Sequence, residues 1–114
     1  MNMALGMVSN GMIKRNNKMS TLNIQTNADL KAAVDGGMLT GLEWLDLRNT
    51  LVTDLAPIAC LTWLEWLDIY NTGVTDITPI DGLTGLKYLY LDSTVVTDMT
   101  PIAGLIENGL VVLE

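Results

Sequence analysis

From Leu39 to Gly104 the apolar positions fall on one schedule that repeats every 22 residues. The units read LTGLEWLDLRNTLVTDLAPIAC (39–60), LTWLEWLDIYNTGVTDITPIDG (61–82) and LTGLKYLYLDSTVVTDMTPIAG (83–104), and they align without a gap. Seven slots are aliphatic or Met in every copy; in the first they are Leu39, Leu42, Leu45, Leu47, Val52, Leu55 and Ile58. Leu45 and Leu47 alternate with polar or aromatic neighbours, the period-two pattern of a strand that buries one face. One such strand has nothing to bury that face against. Stacked copies make a parallel sheet, with Leu45, Leu67 and Leu89 lined up beneath it, so the period predicts a solenoid.

The rest of each unit must bring the chain back. Val52-Thr53-Asp54 leads into Ala56-Pro57-Ile58, and the later copies read Thr78-Pro79-Ile80 and Thr100-Pro101-Ile102. Thr before Pro suits a helix start, the hydroxyl capping a free N–H and the ring taking the first helical position. So few residues remain before the next Leu-x-x-Leu that one short 3₁₀ turn per unit is expected on the outer face. Gly82 and Gly104 are expected to end that turn with positive φ. Cys60 occupies the same slot and, as the single cysteine, reads as a small packed thiol with no internal disulfide.

The flanks are less regular. Residues 20–38 read as an N-terminal capping unit, with Leu22-x-Ile24 matching Leu45-x-Leu47 as a worn strand. Thr26-Asn27-Ala28-Asp29 offers a capping-box start for a short amphipathic helix over 28–35, stopped by Gly36-Gly37. Residues 105–114 open a truncated repeat with two strand registers: Val111 and Leu113 inward by strict spacing, or Leu110 and Leu113 inward with a two-residue insertion. No polar cap follows, so the repeats continue past Glu114 or that end docks on another chain, which leaves a homodimer through it open. In residues 1–19 the charges Lys14, Arg15 and Lys18 follow a weakly apolar stretch, which reads as a flexible tail and not as a secretory leader.

Charge and residue types narrow the chemistry. The 114 residues allow one domain, 20–114 beside the tail, and carry 13 acids against six bases, a net charge of −7. From Met19 onward only Lys31, Arg48 and Lys87 oppose the acids. Such a surface repels phosphate backbones and anionic lipid, which argues against nucleic acid and favours a protein partner with a basic patch. No apolar run approaches the roughly 18 residues of a bilayer span, so no membrane insertion is expected, and the lack of a leader leans toward the cytoplasm. Histidine is absent, Cys60 has no base, and Ser9, Ser20 and Ser93 have no triad partners. With no phosphate-cradling glycine loop and no Cys/His metal spacing, the expectation is no enzyme, no metal and no cofactor.

Leu-Thr-x-Leu-x-x-Leu-x-Leu followed by x-Thr-x-Val-Thr-Asp-x-x-Pro-Ile resembles the leucine-rich repeats of the internalin type, clearly over 39–104 and loosely over 20–38. The resemblance implies an α/β fold, a right-handed leucine-rich-repeat solenoid. Its parallel sheet would form the concave face, and a short helix and then 3₁₀ turns the convex one. It also implies a protein partner gripped by that sheet; internalins themselves are bacterial surface adhesins. The chain departs from the family in having Thr50, Thr72 and Thr94 where Asn is usual, with Asn49, Asn71 and Ser93 one place earlier. A threonine hydroxyl can satisfy turn backbone groups from inside.

The residues between the leucines point onto the concave face, and they are the candidate partner-binding set. They are Trp44, Asp46 and Arg48, then Trp66, Asp68 and Tyr70, then Tyr88, Tyr90 and Asp92. Five of the six aromatic residues fall in these nine positions, while the core is left to Leu, Ile and Val. Columns are expected: Trp44–Trp66–Tyr88, Asp46–Asp68–Tyr90 and Arg48–Tyr70–Asp92, with Arg48 able to stack on Tyr70. Aromatics ringed by charge are the mix of a binding hot spot. They also have high strand propensity and can simply steady a short sheet. Stacked rings beside Asp suit carbohydrate too, and self-assembly is the third reading. Trp63 stands alone where Gly41 and Gly85 occupy the slot, and is expected to pack near the unit boundary. Asp54, Asp76 and Asp98 form a further column; three carboxylates can hold calcium, or each can accept N–H bonds at the start of its turn.

Overall fold

The computed structural model of the chain describes residues 12–15 and 18–113. Two antiparallel strands, β1 (Met12–Arg15) and β2 (Lys18–Thr21), precede helix α1 (Asn27–Asp35). Each repeat then gives one three-residue strand: β3 (Trp44–Asp46), β4 (Trp66–Asp68) and β5 (Tyr88–Tyr90). Helix α2 (Ala103–Glu107) and β6 (Val111–Leu113) complete the order. The six strands form one sheet in the order β2-β1-β3-β4-β5-β6, parallel from β3 to β6. Leu45, Leu67 and Leu89 are in register and fully buried, with Leu47 and Ile69 as the second inward row. The ladder runs past the strands: Leu47 N–H donates to Asp68 O at 2.8 Å and Ile69 N–H to Tyr90 O at 3.0 Å.

The outer face carries the expected tight turns, Ala56–Cys60, Thr78–Ile80 and Thr100–Ile102, each burying one isoleucine. Their caps differ from expectation. Ile77 and Met99 precede the turns without a side-chain cap, and the threonines are the first residues inside. The cap is the aspartate two residues earlier. Asp76 Oδ1 accepts from Thr78 Oγ1 at 2.6 Å and from its N–H at 2.9 Å; Asp98 treats Thr100 alike, and Asp54 accepts from Ala56 N–H. So the column of aspartates organises turns. Gly82 and Gly104 do not adopt positive φ, and a Cβ at either would meet nothing within 4 Å. The slot is open to solvent, and Cys60 is accordingly exposed there rather than packed, its Sγ 3.5 Å from Pro57 O.

Positive φ occurs instead at Asn49, Asn71 and Ser93 (62°, 55° and 60°), just after each strand. Asn and Ser tolerate this conformation better than branched residues do. Asn71 Nδ2 donates to Asn49 Oδ1 at 2.9 Å, tying one unit to the next. Within each unit the following threonine closes the turn from inside, as its hydroxyl chemistry suggests. Thr50, Thr72 and Thr94 donate to Leu47 O, Ile69 O and Leu91 O at 2.7–2.8 Å.

At the N-terminal end, no strand forms over Leu22–Ile24. The place beside β3 belongs to β1, running the opposite way, with Ile13 opposite Leu45 and buried. Residues 12–15 and 18–19, expected within the flexible tail, are thus part of a hairpin that covers the edge of β3; the rest of that expected tail lies outside the described residues. The composition of its two strands, MIKR and KMST, hides it, since neither has the apolar alternation that marks the other strands. Helix α1 begins as its residues suggest: Thr26 Oγ1 accepts from Asp29 N–H, and Asp29 Oδ2 accepts from the N–H groups of Thr26 and Gln25. Asn27 then docks the helix on the first repeat, its Oδ1 accepting from Thr53 N–H and Asp54 N–H. At the other end the register is neither of those expected. Val112 lies opposite Leu89, so one residue is inserted, and Val111 and Leu113 join the concave face while Leu110 is buried. The extra residue is absorbed by α2, which prolongs the last 3₁₀ turn.

These caps make the fold acid-sensitive in a defined direction. Asp29 is held below the ordinary aspartate value of 3.8 mainly by the Gln25 N–H. Asp76 and Asp98 are lowered mainly by the hydroxyls of Thr78 and Thr100. A lowered folded pKa means the unfolded chain binds protons more tightly, so this stability is full above 3.8 and is lost as pH falls through the folded values. In urea titrations the midpoint should fall on acidification below 3.8. Asp76→Asn with Asp98→Asn should be weaker than wild type at neutral pH and flatter in acid. An unchanged acid slope in the double variant would show that these carboxylates carry none of it.

Candidate functional site

The pleat of β3, β4 and β5 sends alternate side chains to the concave face, and the register sets their columns. Trp44, Trp66 and Tyr88 are opposite one another, as are Asp46, Asp68 and Tyr90. Lys14 extends the first column on β1, and Val111 and Leu113 extend both on β6. Trp44 and Trp66 stack with ring centroids 4.1 Å apart at 38°, and Trp66 meets Tyr90 edge-on at 5.4 Å. Tyr88 is 45% exposed, and the two tryptophans and Tyr90 are half-buried against one another. Together with Lys14 and Leu113 these four rings line an open groove of about 500 Å³. Val111 and Leu113 were concealed by the insertion that shifts β6, and Lys14 by the hairpin.

The aspartates depart from the simple picture. Asp46 and Asp68 are on the concave side yet only 3% exposed. Each folds back on its own strand end, Asp46 Oδ1 accepting from Arg48 N–H at 3.1 Å and Asp68 Oδ1 from Tyr70 N–H at 2.9 Å. Arg48 Nε is 3.1 Å from Asp46 Oδ2, and its Nη1 is 4.0 Å from Asp68 Oδ2. Burial pushes the Asp68 carboxyl up, opposed by the Tyr70 N–H and the Arg48 charge. The two are therefore buried, hydrogen-bonded groups and not the exposed polar contacts that alternation suggests. Tyr70 and Asp92 remain exposed at the rim.

Trp63 also departs from expectation. Leu61 and Leu64 take the inward positions around it, and the ring is 71% exposed, beside a small depression that includes Cys60 and Thr62. Its counterparts Gly41 and Gly85 offer no side chain to pack against. Among the described residues, no three Asp, Glu or Cys side chains are gathered so as to hold a metal ion. None of the helices there is long and apolar enough to cross a membrane.

Residues 62–104 match the family of Leucine Rich repeats (2 copies). The fold superposes on a crystal structure of an internalin from Listeria monocytogenes at a TM-score of 0.63, with 34% identity over 71% of this chain. Internalin C2 from the same organism aligns at 0.65, with 32% identity over 82% of this chain. The repeats are internalin-like leucine-rich repeats. The chain spans 23% and 39% of the length of these two internalins. No curated protein matches it. As in the expected leucine-rich-repeat solenoid, a mostly parallel sheet lines one face and short helices and 3₁₀ turns the other.

Proposed function

We propose that this leucine-rich-repeat chain is a non-enzymatic protein-binding module that engages its partner on the concave aromatic face. The observation that carries the reading is the placement of Trp44, Trp66, Tyr88 and Tyr90 in one open groove, outside a core already filled by aliphatic residues. An exposed cluster of large rigid rings supplies contact area at little entropic cost, and such patches on a soluble chain mark interfaces. The net charge of −7 favours a partner that presents a basic surface to this groove. Of the candidate residues, Trp44, Trp66, Tyr70, Tyr88, Tyr90 and Asp92 contact the partner in this reading. Asp46, Asp68 and Arg48 are engaged with one another and with the ends of their strands, and stand outside the proposed contact set.

The double variant Trp44→Ala, Trp66→Ala tests it. The stack between the two rings contributes about 0.5–1.5 kcal/mol beyond area burial, and half-buried rings lose only part of the roughly 3–5 kcal/mol that truncating a buried one costs, so the variant should melt lower than wild type yet still unfold cooperatively. Retention of the partner from a lysate of the source cells should be lost. If the variant unfolds, the rings are structural. If it folds and still retains the same partner, the binding face lies elsewhere; a positive glycan array with no protein retained would replace the protein partner by a carbohydrate.

A further inference from the structure

Beside the main groove, across the Trp66–Tyr90 pair, lies a second recess of about 330 Å³ lined by Arg48, Trp66, Asp68, Tyr70, Tyr90 and Asp92. Three of its six walls are aromatic rings, and they come from different places: Trp66 and Tyr90 from adjacent strands, Tyr70 from the turn after β4. Trp66 and Tyr90 meet edge to face at 5.4 Å, and both line the recess. Ring faces carry negative potential and attract cations.

The charges point the same way. Among the described residues that line the recess, Arg48 is the cation, and it lies within ion-pair distance of Asp68. Asp92 adds a second carboxylate at the rim, so this lining carries one more negative charge than positive. Asp92 Oδ1 accepts from Ser93 N–H at 3.0 Å, and among the described residues its Oδ2 has no partner. A planar donor fits this set better than a compact ammonium. A guanidinium stacks on ring faces, is more weakly hydrated, and offers paired N–H groups to a carboxylate. We infer that the recess of Trp66, Tyr70, Tyr90 and Asp92 receives an arginine side chain of the protein partner. This rests on the concave face being the binding face, and it names the partner residue that the face selects.

The probe is N-acetyl-arginine amide, titrated into the ¹⁵N-labelled chain and followed by amide and indole shifts. Its uncharged isostere N-acetyl-citrulline amide is the control. The expected result is saturable shifts at Tyr70, Tyr90, Asp92 and the Trp66 indole, with a Kd on the order of 1 mM for so small a ligand. Citrulline should bind at least about ten-fold more weakly, as should arginine to Asp92→Asn, because each loses a charge-assisted bond. Equal binding of citrulline, or shifts confined to Trp44 and Lys14, overturns the assignment. So does tetramethylammonium binding as tightly as arginine. Trp66 lines both sites, whereas Trp44 lines the groove and not the recess, so the single variant Trp44→Ala separates the two readings. Arginine binding with partner retention unaffected by Trp44→Ala removes the groove and keeps the recess. Loss of retention in Trp44→Ala with no arginine shifts does the reverse.

Discussion

Leu67→Ala should lower the unfolding free energy by about 4 kcal/mol, the largest effect expected of any single truncation in the sheet. Leu67 is fully buried on the middle repeat strand, with Leu45 on one side and Leu89 on the other. Neither neighbour can follow it inward, because both strands are pinned by the ladder that joins Glu43, Glu65 and Lys87 and by the one after it. The cavity therefore stays open, which places the loss at the upper end of the large-to-small range. Domains of this size hold only about 5–15 kcal/mol in total, so the variant stands near the edge of folding. Solenoid stability is a sum over units and their interfaces, and a hole at the central unit weakens two interfaces together. The check is a urea midpoint measured with an unchanged slope. A loss below about 1 kcal/mol would mean that the leucine column is not the spine of this fold.

The second large effect is Arg48→Met, expected to destabilise by about 2 kcal/mol at neutral pH. Fully buried pairs lose more when one partner is removed; Arg48 is half-exposed, and solvent screening reduces the figure. Methionine keeps much of the stem packing, so the loss reports charge. What remains includes Asp68, almost out of contact with water and without the Arg48 charge that opposes its own. Burial already raises the Asp68 carboxyl above the ordinary value of 3.8, and without Arg48 it rises further. A raised folded pKa penalises the ionised form, so the loss is full above that pKa and shrinks as pH falls through it. Urea curves for wild type and variant should converge as pH is lowered toward 3.8. A difference that stays constant or widens in acid would make Arg48 a packing residue.

Much of this was legible from spacing alone. A gapless 22-residue period leaves no freedom in register, so the columns Trp44–Trp66–Tyr88 and Leu45–Leu67–Leu89 follow from counting. The helix start at Thr26 was legible because a capping box is local chemistry. The failures have a common cause: they depend on side-chain length or on departures from the period. Alternation places Asp46 and Asp68 on the concave side, but their burial and their hydrogen bonds back to the strand ends depend on side-chain packing that spacing does not supply. The same alternation says nothing of Trp63, whose exposure follows from the glycines above and below it. Val112 sits inward because α2 takes up one residue, which no periodic rule supplies. Ile13 fills the slot of a missing unit from a strand running backwards, a device without any repeat signature.

The seam between units is the same at every joint: Leu beside Leu, Asn or Ser in the left-handed turn, Thr closing it. Unequal crossing-over between two copies would therefore insert or remove a whole coil without disturbing the joints on either side. Each such event changes the width of the sheet by about 4.8 Å, one strand spacing. Duplication alone can thus widen or narrow the concave face, leaving point substitution free to change the side chains it presents.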